Sequence, residues 1–336
     1  MPARTSLRRT RTVVLRMPSR STDDSLGASA RHADAWLVTN RWLHWDKFEW
    51  QFAALTGAAA ERGLDLQRVS TDEALAALAG GNVALPATAL IMDKDVAAAA
   101  QLEAAGVRTV NSAAAIAACD NKAYTHAVLT AAGIAHPRTC TAPLAYRNLT
   151  VEEWRASAFV AAVGRELGYP AVAKRAVGSW GQGVELVHES GELVAFLRAA
   201  HPAPVIVEEY IAASHGRDAR IYMVGRTPVA AMRRFSAGGD FRANVTGGGR
   251  AEPWEPPAQF VEVARAAMEA LGLDVGSVDF LDADRPLVGE VNSNAQFASL
   301  TEVTGVDVAS QVVALLANAS RRPAATVMAP PGSPIR

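Results

Sequence analysis

Between residues 35 and 110 short apolar runs alternate with helical stretches, a pattern that few sheet architectures accommodate. Residues 35–38, 64–69, 89–92 and 107–110 read as strands; helical faces over 45–62, 72–79 and 96–105 lie between them, two of them ending at Gly63 and Gly106. A helical crossover returns the chain to the starting edge of the sheet, so the strands should run parallel in an α/β lobe. No G-x-G-x-x-G follows the first strand, so the lobe lacks the phosphate fingerprint of a dinucleotide-binding fold.

Past residue 120 the pattern changes. Asp120-Asn121-Lys122 opens a helix that runs to Ala132 and stops at Gly133. A long helix over 151–167 precedes strands at 169–174 and 184–187, then a helix over 192–200 and a strand over 205–210. Residues 220–224 and 228–232 read as antiparallel partners around Gly225. A loop-rich stretch over 237–257 leads to a helix over 258–271, a hairpin, and a closing helix over 306–317. The second half is therefore expected to be α+β with mostly antiparallel strands.

Composition narrows the class. The chain has 336 residues, half of them hydrophobic and a fifth charged, with a net charge of -1. That is a globular composition of more than one lobe, with no overall basic excess pointing to nucleic acid. No apolar run reaches the roughly 18–20 residues of a membrane helix. Cys119 and Cys140 have neither metal spacing nor a disulfide framework, so a reducing cytoplasm is the simpler expectation. The arginine-rich start, with Arg4, Arg8, Arg9, Arg11, Arg16 and Arg20, and the proline-rich end read as disordered segments.

The last third carries the candidate chemistry. Asp279 falls on the first strand of the hairpin, while Glu290 and Asn292 sit two apart on the second and so project from one face. Three hard oxygen donors on paired strands suit magnesium holding a phosphate. A wet sheet face has the same alternation, so the reading leans on features upstream.

Lys174 ends a strand and is followed by Gly178, Gly181 and Gly183, which let backbone amides approach anionic oxygens. A simple hairpin turn has the same glycines, and no Walker A lysine follows them. Lys122 lies in the first turn of its helix, where the dipole disfavours a cation by only ~0.3 kcal/mol. A bound phosphate would remove that conflict; so would plain solvation. Val207-Glu208-Glu209-Tyr210-Ile211 could be a hinge whose backbone meets a base and whose carboxylate meets ribose, or an exposed strand end. Arg217, Arg220, Arg233, Arg234 and Arg242 form an arginine-rich set suited to bidentate binding of phosphate or carboxylate, with surface solvation the better reading for Arg217.

Taken in order, from about Asn111 to Ala317, these pieces resemble the ATP-grasp superfamily and within it the RimK-like glutamate ligases. The carrying motifs are Asp-Asn-Lys at 120–122, the lysine strand and glycine loop at 174–183, Glu-Glu-Tyr-Ile at 208–211, Gly-x-Asp-x-Arg at 216–220, Asp-Phe-Arg-x-Asn at 240–244 and Glu-Val-Asn at 290–292. The resemblance implies an α/β lobe over 34–118 followed by ATP-grasp subdomains over 119–206, with a glycine-rich lid, and 207–319, with the metal site. Segments 1–33 and 320–336 fall outside them.

It also implies roles. Lys122 and Lys174 would hold phosphates with Gly181 and Gly183, the backbone around Glu209 and Tyr210 would meet adenine, and Asp218 would lie near the nucleotide. Arg242 and Asn244 would face the transferred phosphate, with Arg220 and Arg242 as candidate catalytic residues. Asp279, Glu290 and Asn292 would hold two magnesium ions, or manganese in their place.

The implied reaction activates a carboxylate as an acyl phosphate with ATP and lets an amine attack it. Glutamate is the expected amino acid and another amino acid or a small peptide the partner, for example in a glutamate–propargylglycine type of ligation. Addition of glutamate to a protein or peptide tail, a phosphotransferase and a nucleotide-sensing module are the other readings. Neither nucleic acid nor membrane is expected as a partner, and homo-oligomers are common in the family.

Two segments depart from the family pattern. One is Ser293-Asn294-Ala295-Gln296-Phe297, after the metal motif. The other runs from Thr39 to Asp46, where Arg41, Trp42, His44 and Trp45 could line a substrate pocket or pack the following helix.

Overall fold

A computed structural model describes residues 33–320 apart from 44, 82, 179–180, 244–248 and 282–284. The expectations for the two ends therefore lie outside the described residues.

The first lobe comprises β1 (Ala35–Thr39), α1 (Asp46–Glu61), β2 (Leu66–Ser70), α2 (Thr71–Gly80), β3 (Thr88–Met92), α3 (Val96–Ala104) and β4 (Arg108–Val110). Its strands are all parallel, in the order β2-β1-β3-β4. β1 and β3 are buried at every position, which is why they read as unbroken apolar runs. The helix starts are chemically marked. Ser70 and Glu73 form a capping box on α2, and the Asp95 carboxylate accepts from Ala98 N at the start of α3.

Next come α4 (Ala113–Asp120) and α5 (Lys122–Ala131). α4 was not expected: it is almost wholly small and apolar, so it shows no amphipathic period for a sequence reading to find. Asp120 closes α4 instead of opening the next helix. Asn121 is the cap between them, its side-chain oxygen accepting from Ala123 N and Tyr124 N.

A second sheet is built from β5 (Thr139–Thr141), β6 (Ala171–Arg175), β7 (Val184–Val187) and β8 (Val205–Glu209), antiparallel in the order β5-β8-β6-β7. β8 runs across the division expected between 206 and 207. The single helix expected over 151–167 is three pieces: α6 (Val151–Arg155), α7 (Ala158–Ala162) and a π-helical turn (Val163–Leu167). Ser157 causes the first break by capping Val160 N with its hydroxyl. With α8 (Ser190–Ala200), these helices cover the sheet through Trp154, Leu193, Phe196 and Val207.

The third sheet contains β9 (Arg217–Val224), β10 (Thr227–Phe235), β11 (Arg250–Pro253), β12 (Val275–Leu281) and β13 (Leu287–Asn292), in the order β11-β10-β9-β12-β13. Period-two alternation on β9 divides its side chains between two cores. Ile221 and Met223 pack with Phe260 and Met268 of α9 (Ala258–Leu271). Tyr222 and Val224 pack with Phe297, and with Val312 and Leu316 of α11 (Val308–Ser320). Leu37, Phe52 and Leu55 belong to that same core, together with Leu300 of α10 (Ala298–Thr304), so the parallel sheet and the third sheet share one interior. Among the described residues no helix is long and apolar enough to cross a membrane.

Asn111, directly after β4, pins this junction. Its side-chain nitrogen donates to Val275 O at 2.6 Å and Ser293 O at 2.8 Å; its oxygen accepts from Asp274 N at 2.7 Å and Val275 N at 2.9 Å. The amide thus has two donated and two accepted bonds while 2% exposed.

Candidate active site

The antiparallel register places the charged residues. Met232, Arg220, Asp279 and Glu290 lie side by side across β10, β9, β12 and β13. Asn292 pairs with Ser277, one step along the same face. A bulge between Asp279 and Phe280 leaves Gly289 as the extra residue on β13. The convergence of Asp279, Glu290 and Asn292 expected from alternation is what the sheet shows.

Two carboxylates directly opposite one another repel unless cations intervene. Arg220 donates Nε to Asp279 Oδ1 at 2.7 Å and Nη2 to Oδ2 at 2.6 Å. Arg234 bridges two acids, with both Nε and Nη2 at 2.6 Å from Asp218 and Nη2 at 2.9 Å from Asp279. Burial pushes the Asp279 carboxyl up, but the Arg220 and Arg234 guanidiniums outweigh it and hold it at about 2. Asp218 has one guanidinium and faces Asp279; there burial prevails and raises its pKa. Arg234 lay in the arginine-rich set but without a role, because its bridge depends on cross-strand register.

Both expected lysines face the same cleft. Lys122 Nζ donates to Gly178 O at 3.0 Å and lies 3.2 Å from Glu290 Oε1. Lys174 Nζ is 2.6 Å from Glu208 Oε2, and His126 Nε2 is 3.3 Å from the other oxygen. Glu208, which the sequence reading left unassigned beside Glu209, is 2% exposed. Burial opposes its charge, yet Lys174 and the neighbouring His126 keep it at about 2.

Above the sheets, Gly181 and Gly183 adopt φ of +71° and +65°, and Gly181 O accepts from Arg242 Nη1 at 3.0 Å. Arg242 is also held by Asp240, 2.8 Å from Nη2. Asn244 lies outside the described residues. The Glu209 carboxylate is taken by Arg138, through its backbone N at 2.9 Å and its Nε at 2.8 Å, a partner the sequence did not suggest. Tyr210 lines the cleft, its hydroxyl hydrogen-bonded to His215.

The segment after β1 is corrected in part. Of Arg41, Trp42 and Trp45, only Trp42 lines the cleft; Arg41 turns to Asp72 at 2.6 Å, and Trp45 lies under the Lys47 ammonium at 4.7 Å. His44 is outside the described residues. Asn40, Leu43 and Lys47 line the cleft in their place. Lys47 could have been found by the signal that marked Lys122, a cation in a helix's first turn.

The whole forms a cleft of about 730 Å³. Lys122, Lys174, Arg242 and the glycine loop line it with groups suited to polyanionic oxygens, and Asp279, Glu290 and Asn292 line it as well. No group of three or more His, Cys, Asp or Glu able to hold a metal occurs among the described residues; here Asp279 and Glu290 stand beside the Asn292 amide. Two carboxylates, an amide oxygen and a neighbouring phosphate form a donor set that fits magnesium.

Solved structures give the fold. A D-cycloserine synthetase superposes with a TM-score of 0.65 over 85% of this chain and 99% of that one, at 17% identity. A family model for the RimK-like ATP-grasp domain matches residues 119–316. An uncharacterized protein of Mycoplasma pneumoniae is 32% identical over 68% of this chain and 80% of its own length. A probable alpha-L-glutamate ligase of Xanthomonas euvesicatoria pv. vesicatoria is 42% identical over 46% of this chain, a match spanning only about half, 54%, of that relative.

The architecture is that of the ATP-grasp ligases. The chain belongs to the RimK-like ATP-grasp family, and with it to the ATP-dependent ligases that join a carboxylate to an amine.

Proposed function

We propose that the chain joins an amino-acid carboxylate to the amine of another amino acid or small peptide, with glutamate as one of the two. The observation that supports this best is the convergence of Lys122, Lys174, Arg220, Arg242, Asp279, Glu290 and Asn292 on one cleft. The Xanthomonas relative, a probable alpha-L-glutamate ligase, supports glutamate.

In this reading Lys122, Lys174 and Arg242 hold the ATP phosphates, while Asp279, Glu290 and Asn292 hold magnesium. When bound, magnesium neutralises charge on the transferred phosphate. The chain's own residues do the rest. Arg220 and Arg234 fix the Asp279 carboxylate, so the metal-facing surface is ordered before substrate arrives. Lys174 is held in place by the buried Glu208 carboxylate. Arg242, tied to Gly181 O, couples the glycine loop to the phosphate-facing wall. Closure of that loop excludes water, protecting an acyl phosphate until the amine attacks.

Glu290→Gln tests the reading. It keeps the size and the strand but removes a charge, so turnover should fall at least 100-fold with an unchanged circular dichroism spectrum. Full activity in that variant would refute the metal assignment.

A further inference from the structure

The turn after β13, one of the two segments that depart from the family pattern, is bonded to the start of α1, directly after the other. Gln296 Nε2 donates to Lys47 O at 3.3 Å, and Phe297 N donates to Gln51 Oε1 at 2.8 Å, tying the start of α1 to the turn after β13. Lys47 and Asn294 both line the cleft there.

Lys47 differs from the phosphate lysines. Lys122 and Lys174 each have a carboxylate within 3.2 Å, whereas Lys47 has none within 4 Å among the described residues. Its ammonium instead stands over the Trp45 ring at 4.7 Å and the Phe48 ring at 5.8 Å. Aromatic faces hold the cation in position without neutralising it. Burial, and then the field of Arg220, lower its pKa, the direction expected of a cation that lacks an anion.

We propose that Lys47 selects an acidic amino acid by pairing with its side-chain carboxylate. A cation held by aromatic rings on the cleft wall, with no carboxylate among the described residues paired to it, matches the anionic side chain of such a substrate. The proposal rests on the ligase reading above, which supplies an amino acid to this cleft.

Binding tests it apart from turnover. Calorimetric titration with L-glutamate and L-glutamine, in the presence of ADP and magnesium, compares the wild type with Lys47→Met and Lys47→Arg. The wild type should bind glutamate at least tenfold more tightly than glutamine. Lys47→Met should abolish that preference, Lys47→Arg should keep most of it, and ADP affinity should be the same in all three. Equal binding of the two amino acids by the wild type, or an undiminished preference in Lys47→Met, overturns the proposal. So does a matching loss of ADP affinity, which would make Lys47 a phosphate contact. Failure of the wild type to form any condensation product, with the binding preference present, would count against the ligase reading and not against Lys47.

Discussion

Lys174 and Glu208 face each other at 2.6 Å across neighbouring strands of the second sheet, and the Glu208 carboxylate is almost wholly buried. Removing one member of such a pair leaves a buried charge uncompensated, at a cost of about 3–5 kcal/mol. Lys174→Met should therefore destabilise strongly by urea denaturation, and Lys174→Met with Glu208→Gln should recover most of the loss. Additive losses would show that the two side chains do not act as a pair. Neither variant should retain wild-type affinity for ATP.

The same carboxylate predicts acid sensitivity. Its folded pKa of about 2 lies below the ordinary 4.5, so the unfolded chain binds the extra proton. The stabilisation is complete above pH 4.5 and declines as the pH falls from 4.5 toward 2. At the usual ~1.4 kcal/mol per pKa unit it amounts to about 3 kcal/mol at most. Stability measured between pH 3 and 6 should fall more steeply on the acid side in the wild type than in Glu208→Gln; equal slopes would contradict the assignment.

Asn111 ties β4 to the start of β12 and to the turn that carries Asn294. Asn111→Ala would strand two buried carbonyls and two buried amides, so a loss of about 2–4 kcal/mol is expected in chemical denaturation. Amide hydrogen exchange should rise at Asp274 and Val275, which lose their acceptor. Unchanged protection there would refute the staple.

Gly216 is a conformational requirement of the turn that meets the Arg242 segment. It has φ +68°, its N–H donates to Phe241 O at 2.9 Å, and an added Cβ would lie 2.6 Å from Ser236 Oγ and 3.0 Å from Asp240 O. Gly216→Ala should cost about 1–3 kcal/mol and displace the segment that carries Arg242. The KM for ATP should rise severalfold; an unchanged KM would show that Arg242 does not depend on this turn.

How much was legible depended on how local each feature is. Glu290 and Asn292 could be read because strand alternation puts residues two apart on one face, and the strand–helix alternation of the first lobe announced its parallel sheet. Glu208 could not, because only the central position of β8 tells which of two adjacent glutamates faces inward. Arg234 required the register of β10 on β9, and Asn111 a contact with residues more than 160 positions away. α4 escaped because alanine carries no face, and the break in the helix over 151–167 turned on one serine cap.

The most direct test of the central claim is the fate of ATP. With magnesium, glutamate and a panel of amino acids and short peptides, nucleotide assay and mass spectrometry should show ADP and phosphate. They should appear in step with a product lighter than its two reactants by one water. Release of AMP and pyrophosphate with that product, or ADP without any condensation product, would contradict carboxylate activation by phosphoryl transfer in this cleft.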